Sequence, residues 1–216
     1  MRDGLFYEML NPDKPQLNNV LEESIHNMLQ LHPGGVLEHV KQVNKLALQL
    51  FDFLAPILTL PARYRSYVHA ASLLYRIGSS INYYQFTKHT QYMIAQARID
   101  GLSHREIVLC SLIASHKTKS RTHQLASTYK DILEESDETV VNQLGTLVQL
   151  AAGLDRSETQ PIQDIVIAVE GKTMLLKLLC SHSAAAEMRE IADFTKEFEK
   201  AWGLSLKAQA GVFSKM

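Results

Sequence analysis

From Val36 to Leu54 the apolar residues Val36, Val40, Val43, Ala47, Leu50 and Leu54 recur at steps of three and four. That spacing returns a side chain to the same side of a 3.6-residue helix at every turn, so the segment is predicted to be an amphipathic helix with one face in a core. The same rhythm recurs along the chain, each time cut by a residue that a helix tolerates badly. "HPGG" at 32–35 ends a helix running from Leu17 to Leu31, and Pro56 closes the helix just described. Pro61 opens a third helix, whose apolar face is Val68, Ala71, Leu74 and Ile77 and whose stop is Gly78. "SSINYYQF" reads as a loop and Thr87–Ile99 as a helix stopped by Gly101. Ser103 and Glu106 form a capping-box pattern ahead of "IVLCSLIASH". A basic loop, "HKTKSR", then precedes a helix from His123 to Leu133. After the acidic "EESDE", Val140, Leu144, Leu147, Ala151 and Leu154 mark a long helix ending near Asp155.

The rhythm changes after Pro161. "IQDIVIAVE" and "KTMLLKLLC" are rich in Ile, Val and Leu with "EG" between them, the pattern of a β-hairpin. Ala184–Trp202 is an amphipathic helix stopped by Gly203, and "LSLKA" has the composition of one more strand. The expected fold class is therefore mainly α: a helical domain over 16–158, after a turn-rich connector at 1–15, followed by a small α+β subdomain over 159–216.

Bulk properties exclude several functions. The formal net charge is −1, so no global field draws the chain to nucleic acid or membrane, and any anion site is a local patch. No apolar run approaches the roughly 18 residues of a membrane helix, and the N-terminus lacks the apolar stretch of a signal peptide. Cys110 and Cys180 both lie in apolar segments without metal-finger spacing and read as buried thiols of a reducing compartment, so a cytoplasmic location is expected.

Several segments together carry a resemblance. "LLYRIG" at 73–78 resembles the "LLHDIG" of HD-domain proteins, a group of helical metal hydrolases, and "HVKQV" at 39–43 resembles their opening His motif. "KHTQYMI", "SHKTK" and "GLDRSE" resemble their later His, His and Asp segments. More narrowly, "YRIGSSINYYQFTKHTQYMI" is similar to the exopolyphosphatase/guanosine pentaphosphate phosphatase family, where an HD-like helical domain follows an actin-like catalytic domain. "MRDGLFYE" resembles the end of that catalytic domain, and "FEKAWGLSL" the C-terminal end of the family. The resemblance implies a degenerate HD-like domain that supports phosphoanhydride hydrolysis by an upstream actin-like phosphatase domain. This chain shows no glycine-rich phosphate loop after a strand.

The resemblance also marks six positions: His39, Tyr75, Arg76, His89, His116 and Asp155. A working HD site uses His, His–Asp and Asp to hold divalent ions that acidify a water. Tyr75 offers only a weak, protonated oxygen, and Arg76 brings a fixed positive charge with no lone pair. Three histidines and one carboxylate form a set that zinc or iron accepts; the alternative is that they are relics hydrogen-bonded within a helical core. The expectation is no cofactor and no catalytic residue, with Arg76 paired to Asp155 in place of the ion.

"HKTKSRTH" carries Lys117, Lys119 and Arg121 with no acid, and Lys88 lies in a neighbouring segment of the pattern. Such clusters are often only solvated surface. With the family resemblance they become candidates for binding inorganic polyphosphate or another phosphate polyanion, arginine by a forked hydrogen bond and lysine as a mobile point charge. A homodimer is expected from family habit and from the general frequency of two-fold assemblies. The alternatives are a structural or protein-interaction domain without ligand and a metal-dependent HD phosphohydrolase acting on nucleotides.

Overall fold

The computed structural model describes Met9 and residues 19–212. The connector expected at 1–15 therefore lies, apart from Met9, outside the described residues. Over residues 19–158 the chain forms seven α-helices: α1 (Val20–Leu31), α2 (Leu37–Ile57), α3 (Tyr64–Leu74), α4 (Phe86–Gln96), α5 (His104–Ala114), α6 (Lys119–Ala126) and α7 (Asp137–Gly153). Then follow β1 (Ile162–Glu170), β2 (Thr173–Cys180), α8 (Ala185–Trp202) and β3 (Ser205–Val212). The chain is mainly α with a small C-terminal α+β subdomain, as its apolar rhythm implied.

The helix starts follow local chemistry. Asn19 caps α1 through its side chain, which accepts from Glu22 N–H at 3.3 Å. Ser103 and Glu106 close the expected capping box on α5. The basic segment is loop only over its first half, His116–Thr118: α6 already begins at Lys119, where Thr118 Oγ1 accepts from Arg121 N–H at 3.3 Å, and it ends at Ala126, well short of Leu133. A threonine cap placed among lysines outweighs the unfavourable charge at the helix start. Pro56 sits inside the last turn of α2 rather than beyond it.

Gly78 is not a helix stop. α3 ends at Leu74, and Gly78 lies in a 3-10 turn, Ile77–Ser80. A Cβ there would stand 2.2 Å from Phe86 O and 2.3 Å from Thr90 N, so only glycine lets this turn dock onto the start of α4. Thr90 seals the contact, its hydroxyl accepting from Gly78 N–H and donating to Tyr75 O, both at 3.0 Å. Gly34 does the same from the other side: a Cβ would lie 2.2 Å from Arg76 O. The backbone of Tyr75–Arg76 is thus gripped between the "HPGG" turn and α4.

β1 and β2 form the expected antiparallel hairpin, turning at Gly171 (φ 59°), and β3 pairs parallel to β2 after the α8 crossover. Helical domain and sheet share one apolar core: Leu46, Leu50 and Leu147 belong to the same cluster as Ile162, Leu176, Leu178, Phe198 and Trp202. On α2, Gln42, Lys45 and Gln49 share one face and bond the Ile162 carbonyl, the Gln163 carbonyl and Asp164 Oδ1 of β1. Cys110 is buried, while Cys180 is only partly covered, because β2 ends there at the margin of the sheet.

Candidate functional site

Four of the six relic positions line one cleft, and Asp155 lies buried beneath it. His39 comes from α2, Tyr75 and Arg76 from the turn after α3, His116 from the end of α5, and Asp155 from the turn after α7. The cleft has a volume of about 250 Å³ and is lined by His39, Tyr75, Arg76, His116 and Lys117, with Tyr83, Phe86, Arg156, Glu158 and Glu190 around them.

At its floor runs a hydrogen-bonded chain. Asp155, wholly buried, accepts from His39 Nδ1 at 2.8 Å on Oδ2. A carboxylate only accepts, so Nδ1 carries the proton and Nε2 is left to accept from the Tyr75 hydroxyl, with which it is in close contact. The remaining capacity of Asp155 is filled by Gln160, whose backbone N–H reaches Oδ1 at 2.8 Å and whose amide reaches Oδ2 at 3.0 Å. Burial pushes the Tyr75 hydroxyl pKa above its ordinary value, outweighing the neighbouring Arg76 that pulls it down, so Tyr75 stays protonated.

Arg76 does not pair with Asp155 as expected. Its Nη1 bonds Glu158, three residues further on, because Asp155 is consumed by His39 and Gln160. Burial opposes the charge on Arg76, but the bond to Glu158 and the field of Tyr75 hold its pKa above normal. The guanidinium also lies over the Phe86 ring, 6.0 Å from its centroid. The 155–160 turn that presents these groups is strained: Glu158 (φ 57°) and Gln160 (φ 50°) sit in the left-handed region, at ~1–2 kcal/mol each for a residue with a Cβ. What holds it is α8. Buried Glu187 accepts from Ser157 N–H at 2.8 Å, and Glu190 faces Arg156 at 3.6 Å.

His116 lies on the cleft wall with its nitrogens 3.1 Å from Gln149 Oε1 and 3.2 Å from Asn142 Oδ1. Burial lowers its pKa against those two bonds. The imidazole fits only because position 145 has no side chain: a Cβ there would stand 2.4 Å from His116 Cβ. His89, on α4, is not part of the lining.

The donor set does not fit a metal ion. Both nitrogens of His39 and both oxygens of Asp155 are engaged, His116 is turned to two amides, and the central position is a guanidinium. Among the described residues no three His, Cys, Asp or Glu side chains gather closely enough to hold an ion. No catalytic step is derived through one.

Of the basic candidates, Lys117 lines the cleft, whereas Lys88, Lys119 and Arg121 are exposed and outside it. Sequence reasoning missed Arg156, Glu158 and Glu190. Arg156 follows Asp155 directly in "GLDRSE", a signal that was legible; Glu190 depends on how α8 folds back, which no local pattern encodes. Ser157 Oγ lies 2.9 Å from Thr159 Oγ1. No helix among the described residues is long and apolar enough to cross a membrane.

A family model described as Ppx/GppA phosphatase, domain III, matches residues 22–200, from the first turn of α1 almost to the end of α8. Because that match covers most of its length, the chain belongs to the Ppx/GppA phosphatase family through that domain.

Proposed function

We propose that this chain is a non-catalytic, cytoplasmic module that binds inorganic polyphosphate or a similar phosphate polyanion, positions it for hydrolysis by an actin-like phosphatase domain, and self-associates as a dimer. One observation supports the reading: among the residues lining the cleft where an HD site would hold a divalent cation is a guanidinium, Arg76, held by Glu158. The positive charge is kept while the capacity to bind and activate water through a metal is gone.

The cations around Arg76 differ in availability. Arg76 is bound to Glu158, which offsets most of its charge, so the available cations are its neighbours. Arg156 is 65% exposed and its partner Glu190 51% exposed, at a loose 3.6 Å, so a phosphate can take the arginine from the carboxylate. Lys117 has no carboxylate partner among the described residues, and its backbone is steadied by Gln149, whose amide reaches Lys117 O at 3.4 Å. Lys88, Lys119 and Arg121 serve as outer contacts for chains longer than the cleft.

Titrating the protein with polyphosphate of short and long defined length at two salt concentrations tests this. Replacing Lys117 and Arg156 by Ala is expected to weaken binding of both lengths and to flatten the salt dependence by about one unit of log–log slope per cation lost. Replacing Lys88, Lys119 and Arg121 is expected to affect long chains only. No binding at either salt concentration would leave a scaffold without ligand. Phosphate release from polyphosphate or nucleotides with added Mg²⁺, Mn²⁺ or Zn²⁺, abolished by His39→Ala, would overturn the non-catalytic assignment.

A further inference from the structure

His116 sits on the cleft wall between two amides, and their orientation reports on its protons. Gln149 Nε2 reaches Lys117 O at 3.4 Å. A carbonyl only accepts, so this contact turns the Gln149 NH2 away from the ring and its Oε1 toward His116 Nδ1, 3.1 Å away. Nδ1 therefore donates. On the other side of the ring Nε2 stands 3.2 Å from Asn142 Oδ1, which also only accepts. Two amide oxygens match an imidazolium, whose nitrogens both donate. A neutral ring fits after one movement: no bond among the described residues holds Asn142 Nδ2, so a half turn of that amide presents an N–H to Nε2. The ring can thus gain or lose a proton without stranding a buried polar atom.

The charges around the ring are nearly balanced. His116 directly follows the last turn of α5, whose carbonyl end favours a cation. α7 meets it with Asn142, Gly145 and Gln149, none of them charged. From α8 the field of Glu197 favours the proton, and Glu190 lines the same cleft. Lys117, Arg76 and Arg156 oppose it, Glu158 offsets Arg76, and His39 and Tyr75 complete the titratable lining. Burial pulls the His116 pKa below its ordinary value. We propose that a phosphate polyanion entering the cleft brings one proton onto His116, which then serves as a third cation of the site beside Lys117 and Arg156. The inference rests on the polyanion reading of the cleft and adds its dependence on pH. A bound anion stabilises the imidazolium, so the histidine holds its proton to higher pH in the complex than in the free protein. The added affinity is complete in acid and is lost as pH rises through the pKa of the complex.

Titration calorimetry of the full chain with long polyphosphate decides it, at pH 6, 7 and 8, constant ionic strength, and in paired buffers of different ionisation enthalpy. Long chains are the probe because their interior phosphate groups keep a constant charge over this range and only the ends titrate. The dissociation constant is expected to rise about threefold to tenfold from pH 6 to pH 8, with net proton uptake on binding. His116→Gln should bind with the same affinity at every pH, near the wild-type value at pH 8. Asn142→Asp sets a carboxylate at Nε2, holds the ring protonated throughout, and should remove the pH dependence by the opposite route. A wild-type affinity that is constant from pH 6 to pH 8 would overturn the inference and leave polyanion binding standing. A pH dependence that persists unchanged in His116→Gln would assign the proton to another group and overturn it as well. If His116→Gln fails to fold, an unchanged pH dependence in Asn142→Asp has the same force. No binding at any pH would overturn the polyanion reading, and this inference with it.

Discussion

Asp155 accepts three hydrogen bonds at a site without water access, so its removal strands His39 Nδ1–H and Gln160 N–H at once. Asp155→Ala is expected to cost about 3 kcal/mol or more in urea unfolding at unchanged m value, whereas Arg76→Met, which frees a partly exposed Glu158, should cost about 1 kcal/mol. Equal, small effects would contradict the arrangement of the floor. His116 supplies a pH prediction. Burial lowers its folded pKa below the unfolded value, so the unfolded chain binds more protons as pH falls below about 6.5 and stability declines in that window. His116→Gln is expected to flatten the fall in unfolding free energy between pH 7 and 5.5; an unchanged slope would assign the dependence to other groups. At this scale the sequence showed which residues departed from a metal site but not what they would do instead. The exchange of Asp155 for Glu158 as the partner of Arg76 depends on two left-handed residues whose conformation no side-chain pattern announces.

Close approaches decide where the elements can sit. Gly78→Ala drives a methyl group into the backbone of Phe86 and Thr90, atoms that cannot swing aside, and is expected to cost about 2–4 kcal/mol in denaturant unfolding. Ser103→Ala removes only half of a capping box on an exposed helix start and should cost about 1 kcal/mol. A larger loss for Ser103→Ala than for Gly78→Ala would reverse this ranking of cap and clash. Most helices were legible because their apolar stripes and caps are local. The errors cluster where local signals mislead: Gly78 read as a helix stop although α3 ends at Leu74 and the glycine serves packing, and Lys119 and Arg121 read as loop although Thr118 caps a helix there.

The whole molecule is one cooperative body by its core. Trp202, the single tryptophan, is buried in the C-terminal part and stacked on Phe198, within the same apolar cluster as α2 and α7. Unfolding followed by Trp202 fluorescence and by helix circular dichroism is expected to give coincident transitions; separated midpoints would show that the subdomain melts independently. From sequence alone, the period of the apolar residues determined the class of the fold and the order of its elements, and the resemblance of "LLYRIG" to the HD-domain motif marked Tyr75–Arg76 where a His–Asp pair is expected, since each is written in neighbouring residues. Only the tertiary structure decided that Lys117 and Arg156 share a cleft with Arg76, that Glu190 reaches it from α8, and that β3 runs parallel to β2 at an edge no other described strand pairs with. Those facts depend on contacts between residues far apart in the chain, and a one-dimensional pattern carries no term for them.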